Sequence, residues 1–308
     1  MKIYNSLTEL IGNTPLLKIS NYCKQKGIEA NLFAKLEYFN PAGSAKDRIA
    51  KNIIETAEKS GELTENSVII EATSGNTGIG IAAVASSKGY RTIIVMPENM
   101  SDERKKLMRG FGAELVLTDK ALGMKGATEK AEQLKKENPN AFIAGQFVNN
   151  ANPEAHYKTT GPEIWQDTEG TVDIFVAGIG TGGTISGVGK YLLEQNPNIQ
   201  IIGAEPLESP LLTNGVAGPH KIQGIGANFI PDTLDKDVIS EIITIPSDNA
   251  ISSAKELALS EGALVGISSG AALYAAEIVA KREENKGKNI VVLLADTGER
   301  YLSTELFA

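Results

Sequence analysis

Short apolar runs rich in β-branched residues alternate with stretches of helical period along most of the chain. Residues 68–72, 92–96, 114–117, 141–144, 173–177, 199–204, 242–245 and 290–294 are bounded by turn residues and predict strands. Between them, residues 45–58 place Ile49, Ile53, Ile54 and Ala57 on one helical face, and residues 125–136 turn Ala127, Ala131 and Leu134 inward. Gly61, Gly89, Gly112 and Gly287 stand where helix C-caps belong. Nearly continuous apolar strands between helices predict parallel sheets covered on both faces, hence an α/β chain. Residues 36–149 hold four βα units that close one sheet, the smaller domain. A second βα series begins near residue 150. An early strand over residues 15–19 precedes both series, and residues 1–35 are assigned with 150–308 to a larger domain.

A length of 308 residues matches about two domains at roughly 150 residues each. Such a chain buries real cores without disulfides or structural metal. With 42% hydrophobic and 22% charged residues, disorder is excluded. The net charge of −8, with no basic run longer than Arg104-Lys105-Lys106, argues against nucleic acid as a partner. A single cysteine, Cys23, makes no intrachain disulfide and fits a reducing cytoplasm. Only His156 and His220 join it, so no zinc constellation forms. These three and Trp165 read as structural or surface residues. The N-terminal segment carries Glu9 and lacks the apolar stretch of a secretory signal. No apolar run approaches the ~20 residues of a membrane span. The expectation is a soluble cytoplasmic protein without metal.

Four segments carry candidate chemistry. Gly178-Ile179-Gly180-Thr181-Gly182-Gly183-Thr184 follows a strand and opens a helix over residues 185–193, so its N–H groups face an anion at the positive end of the helix dipole. Gly178, Gly180 and Gly183 also satisfy G-x-G-x-x-G, with Glu205 ending the next strand where a ribose-binding acid belongs. A dinucleotide and a phosphate monoester both remain open for this loop. Thr73-Ser74-Gly75-Asn76-Thr77-Gly78 likewise joins strand to helix and suits a carboxylate, ordinary capping by Ser or Asn being the alternative. In Asn40-Pro41-Ala42-Gly43-Ser44-Ala45-Lys46-Asp47-Arg48, Ser44 is the expected N-cap and Lys46 stands in the first turn. A cation there opposes the dipole, which favours the neutral amine that a Schiff-base lysine needs. Asp47-Arg48 is an ion-pair candidate. Gly266-Ile267-Ser268-Ser269-Gly270-Ala271 opens a small-residue helix able to approach a flat ligand or simply to pack.

Together with Gly12-Asn13-Thr14-Pro15-Leu16, these motifs stand in the order seen in fold-type II pyridoxal-phosphate enzymes, the tryptophan synthase β-like class. Met96-Pro97-Glu98, Lys221-Ile222-Gln223-Gly224-Ile225-Gly226-Ala227 and Gly298-Glu299-Arg300-Tyr301-Leu302-Ser303 resemble the cysteine synthase (O-acetylserine sulfhydrylase) and cystathionine β-synthase family more closely. The resemblance runs from Asn13 to Ser303. The chain shows no haem-binding extension before Tyr4 and no regulatory module after Ala308, which points away from cystathionine β-synthase.

The resemblance implies two doubly wound sheet domains and pyridoxal 5'-phosphate as cofactor. It implies that Lys46 carries the cofactor as a Schiff base and that Gly180, Thr181, Gly182, Gly183 and Thr184 hold its phosphate. Asn76 would bond the ring hydroxyl, and Ser268 would face the pyridine nitrogen. Thr73, Ser74, Gly75, Thr77 and Gln146 would grip the substrate α-carboxylate, with Gly224 near the amine. The implied reaction is O-acetyl-L-serine plus sulfide to L-cysteine plus acetate through α-aminoacrylate, in a homodimer that partners serine acetyltransferase. Asp232, after Phe229-Ile230-Pro231, departs from the family pattern. As a base it would favour a hydrogen sulfide-producing lyase that makes L-serine or lanthionine from L-cysteine; otherwise it caps a surface turn. A dinucleotide oxidoreductase and a non-catalytic amino-acid sensor are the readings from other classes.

Overall fold

Residues 3–307 are described in this computed structural model of the chain. In chain order the elements are β1 (Leu16–Lys18), α1 (Ser20–Lys26), β2 (Asn31–Leu36), α2 (Lys46–Ser60), β3 (Val68–Ala72), α3 (Asn76–Lys88), β4 (Arg91–Pro97), α4 (Asp102–Gly110), β5 (Glu114–Thr118), α5 (Gly123–Glu137) and β6 (Ala141–Ile143). They continue with α6 (Ala151–Ala155), α7 (Gly161–Asp167), β7 (Ile174–Gly178), α8 (Gly183–Gln195), β8 (Gln200–Pro206), α9 (Leu211–Asn214), β9 (Glu241–Ile245), α10 (Ser247–Glu261), α11 (Ile267–Ala280) and β10 (Asn289–Leu294). Two compact units divide the chain. The smaller takes the segment ending at Ile11 together with Asn40–Asn152, and the larger takes Gly12–Phe39 with Pro153 onward.

In the smaller unit the strand order is β5-β4-β3-β6, parallel at every described pairing. Val68, Ile70, Ile93 and Val95 bury one face of this sheet against Ala127 and Ala131 of α5. The expected apolar stripe of α2, from Ile49 to Ala57, is fully buried. Helix α3 is apolar nearly all round, as a helix enclosed on several sides must be. Gly80 in α3 allows a close approach to α2, since a Cβ there would lie 3.0 Å from the Lys46 carbonyl oxygen. Residues 3–11 belong here, whereas the sequence reading placed them in the larger domain. Lys51 Nζ ties them down by donating to the Thr8 carbonyl at 2.9 Å, a tertiary contact that no periodicity announces.

In the larger unit the order is β1-β2-β10-β7-β8-β9. Here β1 runs antiparallel to β2, so this sheet is mixed rather than purely parallel. The apolar pattern does not announce β2. Its Lys35 is wholly buried, donating to the Thr14 carbonyl at 2.6 Å and meeting Glu163 and Asp167 at 3.0 and 3.1 Å. Small residues of α11 (Ala271, Ala272, Ala275, Ala276) lie flat in the core with Ile290, Val292 and Leu294 of β10. Gly61 and Gly89 are left-handed C-caps, as expected. Gly112 lies one residue beyond the C-cap Phe111 of α4, and Gly287 follows a 3-10 turn rather than an α-helix.

Strand order fixes where ligands fit. In the smaller unit the chain leaves β3 toward β4 and β5, while β6 returns on the other side of β3. In the larger unit it leaves β7 toward β8 and β9, while β10 lies on the opposite flank. Loops that depart in opposite directions open a crevice at the carboxyl ends of such strands.

Candidate active site

Each crevice gathers the motifs singled out in the sequence. In the smaller unit, Thr73-Ser74-Gly75 leaves β3 and α3 begins at Asn76. The N-cap is Gly75, which has no side chain to cap the helix, so Ser74 stands one residue before the cap position. Gly78 N–H donates to the Gly75 carbonyl at 3.1 Å, and a glycine-begun helix start of this kind favours an anion. The Thr73 hydroxyl turns inward to accept from Gly75 N–H at 3.3 Å. Arg104, buried on α4, donates from Nη1 to the Ser74 carbonyl at 3.3 Å. Gln146, on the loop after β6, is buried and accepts from the Thr77 hydroxyl through Oε1. The structure therefore brings Thr73, Ser74, Gly75, Asn76, Thr77 and Gln146 to one switch point.

Lys46 is the first residue of α2, whose N-cap is Ala45 rather than the expected Ser44. The Ser44 hydroxyl still serves the helix start, accepting from Lys46 N–H at 3.2 Å. Asp47 spends its carboxylate on the Ala42 N–H at 2.6 Å and on Ser44, which draws the Pro/Gly loop against the helix. Half-buried Lys46 thus stands at a pinned helix start beside α3.

In the larger unit, α8 opens after Gly182 (φ 82°) without a side-chain cap. Thr181 and Gly183 make one weak internal contact at 3.4 Å. A Cβ on Gly180 would strike the Gly224 carbonyl oxygen, and one on Gly182 would meet Leu234 at 2.6 Å. The loop is therefore obligatorily glycine, packed between two other loops. Thr233 fixes it by donating to the Thr181 carbonyl at 2.6 Å. Gly224 (φ 100°) lies beside Ser268, since a Cβ on it would sit 3.4 Å from the Ser268 hydroxyl oxygen. Ser268 is buried in the first turn of α11, another helix begun by an uncapped glycine, Gly266.

Two residues that the sequence reading took as structural or surface touch these loops. His156 is buried, with Nδ1 2.9 Å from the Thr160 hydroxyl and Nε2 3.1 Å from the Thr184 hydroxyl. It is structural, and what it structures is the glycine-threonine loop that opens α8. The His220 Nε2 lies 3.0 Å from the Gly226 carbonyl, on the Gly224 side of the crevice. The i,i+4 spacing of His156 and Thr160 was visible in the sequence, but the link to Thr184 was not. Asp232 is exposed in a turn closed by Leu234 N–H to the Pro231 carbonyl. Among the described residues its carboxylate caps nothing and pairs with nothing.

Glu205 removes the dinucleotide reading. It is buried and its carboxylate accepts from Leu212 N–H, Thr213 N–H and the Thr213 hydroxyl at 2.9, 3.0 and 2.6 Å. A carboxylate so occupied caps the start of α9, a structural role that accounts for its place at the end of β8. Cys23 is half-buried, and burial raises its thiol pKa, the opposite of a reactive cysteine.

A glycine-walled anion loop, a buried hydroxyl beside it and a lysine at a helix start are the parts of a pyridoxal-phosphate enzyme with two α/β sheets. The chain belongs to the family of pyridoxal-phosphate dependent enzymes, which it matches over residues 7–296. A cysteine synthase of Staphylococcus aureus (strain Mu50 / ATCC 700699) is 50% identical over 308 residues, covering 100% of this chain and 98% of that protein. The crystal structure of a cysteine synthase from Entamoeba histolytica matches with a TM-score of 0.97 at 46% identity, over 99% of this chain and 91% of the other. That of a hydrogen sulfide-producing enzyme from Fusobacterium nucleatum matches with a TM-score of 0.93 at 48% identity, over 97% of this chain and 100% of the other.

Proposed function

We propose that the protein is a pyridoxal-phosphate dependent β-replacement enzyme that converts O-acetyl-L-serine and sulfide to L-cysteine and acetate. The observation that carries this reading is the pair of helices begun at a glycine, Gly75 and Gly182, one at each switch point. Gly180, Thr181, Gly182, Gly183 and Thr184 hold the cofactor phosphate, with Lys46 as its carrier, Asn76 on the ring hydroxyl and Ser268 at the ring nitrogen. When bound, pyridoxal phosphate supplies the electron sink for the pair left at Cα. Thr73, Ser74, Gly75, Thr77 and Gln146 orient the substrate by its α-carboxylate, and Gly224 faces its amine. Lys46 takes the Cα proton, acetate departs from Cβ, sulfide adds there, and Lys46 returns the proton to Cα. Transfers by one positioned amine contribute roughly 10²–10⁴-fold.

A second reading has an observation of its own. The unpaired, exposed Asp232 sits on the turn whose Thr233 anchors the anion loop. A carboxylate there serves as a base for water or for a departing thiol, with L-cysteine as substrate and hydrogen sulfide as product. One experiment separates the two readings. The yellow holoenzyme is given O-acetylserine with sulfide, and separately L-cysteine alone, and the products are identified. Cysteine from the first and no sulfide from the second leave the synthase reading alone standing. The same reading makes the protein a cytoplasmic homodimer that binds serine acetyltransferase, which light scattering of each protein and of their mixture tests. No helix among the described residues is long and apolar enough to cross a membrane.

A further inference from the structure

The ladder between β3 and β6 ends when Ala144 N–H donates to the Ile70 carbonyl at 3.1 Å. Gly145 then takes φ 64°, a left-handed turn that swings the chain off the sheet. Its own N–H and that of Gln146 leave the ladder, and buried donors without partners are costly. One side chain receives both. Glu71, two residues ahead of Thr73 on β3, accepts from Gly145 N–H through Oε2 at 2.8 Å and from Gln146 N–H through Oε1 at 3.4 Å. From there the chain of contacts runs outward. Gln146 accepts from the Asn152 amide through its carbonyl at 2.8 Å and from the Thr77 hydroxyl through its side chain.

A carboxylate in this place has no packing rationale. Glu71 is 1% exposed among the isoleucines of β3 and β4, and the influences on its charge are burial, the two amides and the Gln146 side chain. An apolar residue would fill the same space without desolvation cost, but it would leave both amides orphaned.

We infer that Glu71 is the positioning residue of the carboxylate cradle: by holding the Gly145 and Gln146 amides it sets where the Gln146 side chain meets Thr77, and so sets the grip on the substrate α-carboxylate. This rests on the reading of Thr73, Ser74, Gly75, Thr77 and Gln146 as the α-carboxylate site. The substitution Glu71→Gln keeps one acceptor for Gly145 N–H but turns an NH₂ group toward Gln146 N–H, donor against donor. Gln146 must shift. The expected effect is a KM for O-acetylserine raised about tenfold, the worth of one hydrogen bond to a charged group, with kcat changed far less. Simple electrostatics predicts the opposite sign, because removing a negative charge behind an anion site favours the anion.

The test is a double-mutant cycle on the holoenzyme at pH 8, where Glu71 is ionised, with saturating sulfide, using wild type, Glu71→Gln, Gln146→Ala and the double variant. Both single variants are expected to raise KM, and the double variant to be no worse than Gln146→Ala, because Glu71 acts through Gln146. An unchanged or lowered KM in Glu71→Gln, or effects that add in the double variant, overturns the inference. A Gln146→Ala variant with unchanged KM instead overturns the α-carboxylate reading itself. If Glu71→Gln does not fold, Glu71→Asp takes its place in the same cycle. Its carboxylate is one methylene too short to reach both amides, and the same non-additivity is expected.

Discussion

The buried Glu71 carboxyl makes folding stability depend on pH in a direction opposite to most carboxylates. Burial raises its pKa from 4.5 to about 7, against the lowering effect of the Gly145 and Gln146 amides. The folded chain therefore holds this proton up to about pH 7, while the unfolded chain releases it near 4.5. Between these values the folded state binds more protons, so stability falls as pH rises through the window, and the loss is complete above 7. At 1.36 kcal/mol per unit, the whole shift is worth about 3 kcal/mol, of which roughly 2 to 3 falls between pH 5 and pH 8. Glu71→Gln carries no proton to lose. Urea unfolding of both proteins, stripped of cofactor so that ligand linkage does not enter, is to be followed by circular dichroism from pH 5 to pH 8. The unfolding free energy of the wild type, relative to the variant, is expected to drop by that amount across the range. A difference that stays flat with pH, or that rises, refutes the assignment of the buried charge.

Lys46→Ala is expected to lower turnover by at least about 10²-fold and to abolish borohydride fixation of the cofactor, while circular dichroism stays that of the wild type. Gly187→Ala places a Cβ against the Pro153 carbonyl and 2.8 Å from Tyr157 N. Overpacking of this kind costs about 1–3 kcal/mol, read as a lowered Tm. Asp232→Asn is expected to leave cofactor absorbance intact and to cut sulfide release from L-cysteine at least tenfold, within the roughly 10²–10⁴-fold worth of a general base; unchanged release would make Asp232 a surface turn residue.

What the sequence discloses about this molecule follows the range of the forces involved. Strands β3 and β7 are legible because apolar residues, then Gly and Thr, mark a strand, a turn and a helix start within a dozen positions. The loops after β3 and β7, the proposed anion sites, are legible for the same reason. Strand β2 is hidden because its Lys35 is buried and paired with Glu163 and Asp167, which lie far along the chain. Ser44 acts much as read: its hydroxyl accepts from the N–H two residues on, that of Lys46, and Ala45 between them already has helical φ and ψ. Glu71 reads as one more charge in a strand, because the amides that justify it are 74 and 75 residues away. His156 is hidden likewise, 28 residues from the Thr184 it steadies. Residues proposed to touch a ligand sit in local motifs, whereas those that hold them in place are joined by tertiary contacts.

The make-up of the cradle bears on turnover. In the proposed reaction, substrate and product carry the same α-carboxylate and differ only at Cβ. A bidentate arginine clamp would hold both equally, and binding that is equal along the reaction lowers KM without speeding the chemistry. In the proposed cradle, hydroxyls, an amide and helix N–H groups take that place, and each is a neutral dipole whose value lies in its direction. Arg104 donates to the Ser74 carbonyl, so at that contact its charge serves to hold a peptide group. Glu71 braces the opposite side through Gly145 and Gln146. A site of this design gains its selectivity from fixed geometry and keeps its grip modest enough for cysteine to leave. On this proposal, loosening either brace is a loss of orientation, felt first in KM, whereas the proton transfers at Cα are assigned to Lys46.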